Sequence, residues 1–234
     1  MTSSCCDFTV AAQRRFTGAT AAKQLRRYRR GRLHPTTRLL RDGVVAAGLN
    51  SGVLLDIGSG VGGLTFELLD RGFSSAVMVE ASSAFLAAGE DEAARLGRTA
   101  SIRFVLGDFL RVSSELPQAA VVTLDRVVCC YPLYAELLER ALRHAACGFA
   151  YSYPTERWYV RALVRLENAR RVRKHRFRMF VHPVGQMDEI IERAGFCLVR
   201  RWRTMRWTAD VYSRVGLRVG INAPARAAST LRSN

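Results

Sequence analysis

Lysine is almost absent from this 234-residue chain. Lys23 and Lys174 are the only two, and the rest of the 36 basic residues are arginine. Acids are also few, 20 against those 36, which leaves a formal net charge of +16. No run of 18 or more apolar residues occurs, so no membrane-spanning helix is expected. The stretch MTSSCCDFTVAAQRRF lacks a basic start followed by a long apolar core, so no secretory signal is expected and a cytoplasmic location is the default. There are six cysteines, Cys5, Cys6, Cys129, Cys130, Cys147 and Cys197. They include no C-x-x-C and have no histidines at zinc spacing, so no metal is expected. Buried free thiols are the simplest reading, with the Cys5–Cys6 pair exposed in a terminal segment.

Nearly half of the chain is apolar, at 49%. With no boundary in its middle, that suits one α/β domain with extensions. Residues 1–10 read as disordered and 11–31 as helical. Pro35 with Thr36 or Thr37 marks a second helix start. An alternation follows: strand 53–57, helix 63–72, strand 75–80, helix 82–97, strand 102–108, strand 120–125, helix 133–145, strand 148–154. Short apolar strands alternating with helices predict a doubly wound parallel sheet. The rhythm then changes to a long basic helix over 155–174, a helix over 183–195 ended by Gly195, and two strands linked near Met205. So short a link allows only an antiparallel pair. The parts are a helical extension (1–50), a main domain (51–214) and a flexible tail (215–234).

The chemistry centres on LLDIGSGVGGLTFELL, residues 54–69. Gly58, Gly60 and Gly63 read G-x-G-x-x-G, a turn that fits a dinucleotide. Asp56 changes that reading, because its carboxylate would repel a pyrophosphate. Open parallel sheets bind ligands at the carboxyl ends of their strands, and four acids fall there: Asp56, Glu80, Asp108 and Asp125. A cofactor with cationic groups and no phosphate suits them better. An NAD(P)-dependent oxidoreductase using the same turn is the rival.

Seven strands, parallel in the body and closed by an antiparallel hairpin, with this glycine turn and these four acids, resemble the class I S-adenosylmethionine-dependent methyltransferases over roughly residues 50–214. The resemblance implies an α/β Rossmann-like sheet with helices on both faces and S-adenosylmethionine as cofactor. It implies that Gly58, Ser59, Gly60 and Gly62 let the backbone approach the amino-acid part of the cofactor, and that Glu80 accepts from both ribose hydroxyls. Asp108 would accept from the adenine amine, and Phe109 or its backbone would cover the ring. Asp125 and Arg126 would stand beside the methionine part and the transferring methyl.

Methyl transfer is mainly a matter of alignment, with a general base where the acceptor carries a proton. The substrate site should use the N-terminal helices and the segments after the fourth and fifth strands, with CCYP (129–132), YSYPTERW (151–158) and FVHP (180–183) as candidates. Tyr131 is the candidate acceptor contact and His182 the candidate base, though His182 and His34 each precede a proline and also read as capping or packing residues. DRVVCCYP lacks the [DNS]-P-P-[FYW] signature of amino-methylating DNA and protein enzymes. A buried thiol at Cys129 or Cys130 has a raised pKa, against covalent catalysis. What remains resembles a small-molecule O- or N-methyltransferase, loosely similar in layout to magnesium-protoporphyrin O-methyltransferases. An acidic acceptor held by Arg157, Arg161 or the basic helix is consistent with the charge. A nucleic acid, RNA above all, is the rival partner.

Overall fold

The structure is a computed structural model that describes residues 3–175 and 177–216. Three helices precede the sheet: α1 (Ser3–Arg15), α2 (Gly18–Arg29) and α3 (Pro35–Ala46). The sequence reading counted two and left 1–10 disordered. Helix α1 instead begins at Ser3, and a break at Phe16–Thr17 divides the segment expected as one helix over 11–31. The predicted tail lies almost wholly outside the described residues.

Then come β1 (Val53–Ile57), α4 (Gly63–Leu69), β2 (Ser75–Glu80), α5 (Ser83–Arg95), β3 (Ile102–Leu106), the single turn α6 (Phe109–Val112), β4 (Ala119–Asp125), α7 (Tyr134–His144), β5 (Ala145–Pro154), α8 (Trp158–His175), α9 (Val184–Arg193), β6 (Phe196–Arg203) and β7 (Trp207–Arg214). The strands form one sheet in the order β3-β2-β1-β4-β5-β7-β6. The first five run parallel, and β7 lies antiparallel to both β5 and β6. The fold is thus the α/β, mostly parallel seven-stranded sheet expected. No described helix is long and apolar enough to cross a membrane.

The central strands are apolar on both faces because helices cover both. On one face Leu55, Ile57, Val122, Leu124 and Tyr151 pack with α7 and α9. On the other, Leu54, Met78, Val121 and Ala150 pack with α3 and α4. Helix α3 thereby belongs to the body of the domain: Leu40 and Val44 are fully buried against the sheet. The thiols are less uniformly buried than expected. Cys129 is buried, Cys130 and Cys147 are half-buried and Cys197 is exposed on β6. A strand near the sheet edge turns alternate side chains outward, which the composition of FCLVRRWRT does not reveal.

The closing hairpin is fastened by an ion network. Arg201 on β6 donates to Asp210 (2.9 Å) and Asp188 (2.7 Å). Tyr153 donates to Asp210 at 2.8 Å and Tyr212 to Asp188 at 2.7 Å. Asp210 is fully buried. Removing one partner of a buried pair leaves an uncompensated charge, at about 3–5 kcal/mol. Arg201→Met is expected to cost that much, read as a lower urea midpoint at unchanged slope.

Candidate active site

Strand β1 delivers Asp56 to the carboxyl edge of the sheet, but the carboxylate does not project freely. It is 2% exposed. Thr123 of β4 donates to Oδ1 and Thr65 of α4 to Oδ2, both at 2.7 Å. Burial pushes its pKa up to about 7, with the two threonines opposing and the nearby Asp125 and Glu80 charges adding to the rise. The turn after it needs glycine: Gly58 has φ +64°, and a Cβ there would meet Val127 at 2.5 Å. Gly62 caps α4 in the left-handed region, at φ 84°.

Glu80, at the end of β2, accepts Gly60 N–H on Oε2 and Ser82 N–H on Oε1, each at 2.9 Å. It therefore holds the glycine turn against the next strand end. Burial raises its pKa, and these backbone donors oppose the rise. A third backbone donor, from Ala81, acts on the same carboxylate, which has about four lone-pair sites in all.

Asp125, at the end of β4, is the most heavily bonded of the four acids. Thr36 and Ser152 donate to Oδ1, each at 2.7 Å, and Thr37 donates to Oδ2. Both threonines sit in the first turn of α3, so the positive end of that helix faces the carboxylate. Burial would raise the Asp125 pKa, yet the Arg126 guanidinium and the three hydroxyls hold it below the ordinary carboxylate range. Arg126 is the one non-glycine residue with positive φ among those described, at 63°. That conformation is held by its N–H donating to Ser152 at 2.8 Å, and strain of this kind gathers at functional sites.

These elements enclose two adjoining cavities of about 410 Å³ and about 140 Å³. Gly58, Gly60, Asp125 and Arg126 border both. Asp56, Ser59 and Gly63 line the larger, and Glu80 and Tyr131 the smaller. The opposite wall comes from the N-terminal helices: Phe16, Gln24, Arg27 and Tyr28, then Arg32 and His34 beyond α2. The structure thus brings together Asp56, Gly58, Ser59, Gly60, Glu80, Asp125, Arg126 and Tyr131. Gly62 stands behind the turn.

Three named candidates lie elsewhere. His182 lines neither cavity. It packs between Tyr134 and Phe180, and its Nε2 donates to the Val128 carbonyl at 3.1 Å. Burial lowers its pKa, so it is a neutral packing histidine. Asp108 is 2% exposed, caps α6 through Leu110 N–H and accepts from Tyr131 OH at 2.8 Å. Phe109 is in the core, edge-on to His144. Burial and the Asp108 charge push the Tyr131 pKa well up.

The segments YSYPTERW and FVHP do not border the cavities either, and the basic helix α8 is not their cationic wall. Arg157 donates to Tyr159 OH and Arg161 pairs with Glu156. The wall comes from the other basic run, LRRYRRGR, because α2 crosses the carboxyl edge. Sequence reasoning missed Thr36, Thr37, Ser152, Thr65 and Thr123. The available signal was a hydroxyl residue inside an otherwise apolar strand or helix, as in VVTLD and GLTFELL.

Residues 54–148 match the model of a family described as a methyltransferase domain. No curated protein sequence matches the chain. Among solved structures, a magnesium protoporphyrin IX methyltransferase from Synechocystis, solved with bound S-adenosylhomocysteine, aligns at TM-score 0.63 and 17% identity, covering 76% of this chain and 82% of that one. A putative sarcosine dimethylglycine methyltransferase from Galdieria sulphuraria aligns at 0.62 and 13% identity, covering 76% and 84%. An O-methyltransferase family protein from Burkholderia thailandensis aligns at 0.61 and 14%, covering 76% and 56%. The class that fold and domain define is the class I, Rossmann-like, S-adenosylmethionine-dependent methyltransferase. Residues 54–148, less than half of the chain, match that methyltransferase domain, and the sheet that contains them has the class I, Rossmann-like fold.

The raised Asp56 pKa has a definite sign in stability. An acid with a higher pKa in the folded chain contributes most below its ordinary value near 3.8, and that contribution fades as pH rises towards 7. Wild-type protein is therefore expected to lose more stability than Asp56→Asn between about pH 4 and about pH 8, measured by urea midpoints. A smaller loss in the wild type would contradict it.

Proposed function

We propose that the chain transfers the methyl group of S-adenosylmethionine to oxygen or nitrogen of a small, anionic metabolite. The observation that carries this reading is the polarity of the cavity. Its sheet side is acidic and glycine-lined, whereas its helix side is cationic, with Lys23, Arg27 and Arg32 on the wall.

The acidic side fits the cofactor. Ser59 lines the larger cavity, and its buried hydroxyl has no protein partner. Such an atom is costly unless a ligand or water meets it. Gly58 and Gly60 keep the wall free of side chains, and Glu80 has lone-pair capacity left for a ribose hydroxyl. Asp125 stays ionised and so favours a cationic group nearby. Asp56 acts from behind, by holding Thr65 and Thr123 under the turn. The adenine side falls to the smaller cavity, between Phe85 and Val127 with Tyr131 at its end. There Tyr131 bridges to Asp108, so Asp108 reaches the ring only if that bond yields. The bound cofactor supplies an activated methyl on a sulfonium.

The cationic side fits the acceptor. Among the described residues Lys23, Arg27 and Arg32 have no ion-pair partner, and arginine recognises carboxylates and phosphates in bidentate fashion. A focused positive potential also raises the local concentration of an anionic substrate.

Two measurements test this. Calorimetric titration with S-adenosylhomocysteine should show binding, and Glu80→Ala should weaken it by about 10–100-fold, the loss expected of hydrogen bonds to a charged group. Absence of binding in the wild type would remove the reading. A screen of carboxylate and phosphate metabolites with labelled cofactor should then return the acceptor. With it, Arg27→Glu should raise the acceptor KM at least about tenfold, the effect of like-charge placement on one ionic contact, and leave the cofactor KM unchanged.

A further inference from the structure

We propose that the exposed face made by the start of α8 and the tip of the β6–β7 hairpin docks this protein on an anionic lipid surface. The face lies outside the cavity and uses the basic helix that the cavity does not.

Trp158 and Met205 are the two most exposed large apolar side chains among the described residues, at 81% and 76%. The topology brings them together. Strand β7 runs antiparallel to β5 and pairs its first residue, Trp207, with Pro154, the last of β5. The hairpin tip therefore stands at the carboxyl edge of the sheet, where β5 hands over to α8. Thr155 N–H donates to the Arg206 carbonyl at 3.0 Å, and Tyr159 OH donates to the Met205 carbonyl at 2.6 Å. The Tyr159 ring in turn lies 5.9 Å from that of Trp158. Trp158 and Met205 thus project from two neighbouring, bonded segments.

Helix α8 continues the patch. Val160 and Val164 are its buried side. The side facing away carries Trp158, Ala162 and Leu166, at i, i+4 and i+8, and all three are exposed. Arg161 and Arg165 flank this stripe, while Arg157, Arg203 and Arg206 adjoin the tip, and these five are exposed as well. Among the described residues only Arg161 of the five pairs with an acid, Glu156 at 3.0 Å. An exposed apolar stripe with a polar rim marks an interaction site.

Charge and shape select the occupant. A second copy of this chain, at net charge +16, would set the same arginines against one another. Single-stranded RNA needs cations with aromatic platforms. Met205 and Leu166 are aliphatic and give a base nothing to stack on. An anionic bilayer uses every part of the patch: tryptophan at headgroup level, aliphatic side chains at the acyl boundary and arginines against the lipid charges. The patch also adjoins the cavity, because Trp207 meets His34 edge-on at 6.0 Å and His34 lines the larger cavity. Docking sets that cavity beside the headgroups. This consequence for catalysis rests on the methyltransferase reading, whereas the docking does not.

Co-sedimentation of the full chain with lipid vesicles at physiological ionic strength tests the proposal. Vesicles of phosphatidylcholine with about one third phosphatidylglycerol are compared with phosphatidylcholine alone. The wild type should partition onto the anionic vesicles and not onto the neutral ones. Combining Trp158→Ser and Met205→Ser removes two apolar side chains and no charge, and should weaken partition at least about tenfold. Leu106→Ser, 53% exposed on β3 at the opposite edge of the sheet, should leave it unchanged. Urea midpoints equal to wild type confirm that both variants fold. No binding to anionic vesicles, equal binding to the two vesicle types, or equal binding by the double variant would each overturn the proposal. So would a single-stranded RNA oligonucleotide that the wild type binds in place of vesicles and the double variant does not. Titration of the same samples with S-adenosylhomocysteine is a separate readout, and its failure would remove only the methyltransferase reading.

Discussion

The organisation of the site depends on the clamp of Asp125 by the first turn of α3. Asp125 terminates the central strand β4, and Thr36 and Thr37 reach it from 89 and 88 residues earlier in the chain. The carboxylate is buried, and three hydroxyls with Arg126 keep it ionised. Hydroxyl donors to a buried charge are worth more than neutral pairs because the alternative is an unpaired charge. That contact fixes where α3 begins, and with it His34 and the segment from Arg32.

The same clamp joins the two unlike sides of the cavity. Its sheet side is built from backbone amides and bonded carboxylates, which suit a cationic cofactor. Its helix side is built from long arginine and lysine side chains, which suit an anion. The two sides meet at Asp125 and Arg126, an adjacent acid and base whose Arg126 backbone is held in a left-handed conformation by Ser152. Phe16, Tyr28 and Phe85 line the larger cavity as well.

Asp56 lies at the cavity, as its place near the end of β1 suggests, but its carboxylate is already engaged there. Its position beside the glycine turn is what, in the sequence, reads against a diphosphate ligand. Its carboxylate nevertheless spends both oxygens on Thr65 and Thr123, so it works by shaping the turn rather than by offering a bare charge. The acid at the end of β4, Asp125, is held in its ionised form beside the cavity by Arg126 and three hydroxyls.

Much of the fold was legible in the chain. Apolar runs such as VLLDI and AVVTLD, each ending on an acid, set the strands and their carboxyl ends, and the short link at Met205 forced an antiparallel hairpin. The glycines at 58, 60 and 62 were readable because positive φ and close approach admit little else. Those are local constraints, and local sequence carries them. The partner of each side chain is not local. Nothing in FVHP distinguishes a packing histidine from a base, and nothing in LHPTT announces that its threonines will hold a strand-end aspartate. LRRYRRGR and the run in α8 look alike in composition, yet only the first lies at the cavity. The sequence alone determined the elements, their order and the acids at the strand ends. The tertiary structure decided which helix covers them, because the docking of α3 depends on contacts between residues nearly ninety positions apart, and no periodicity records such a contact.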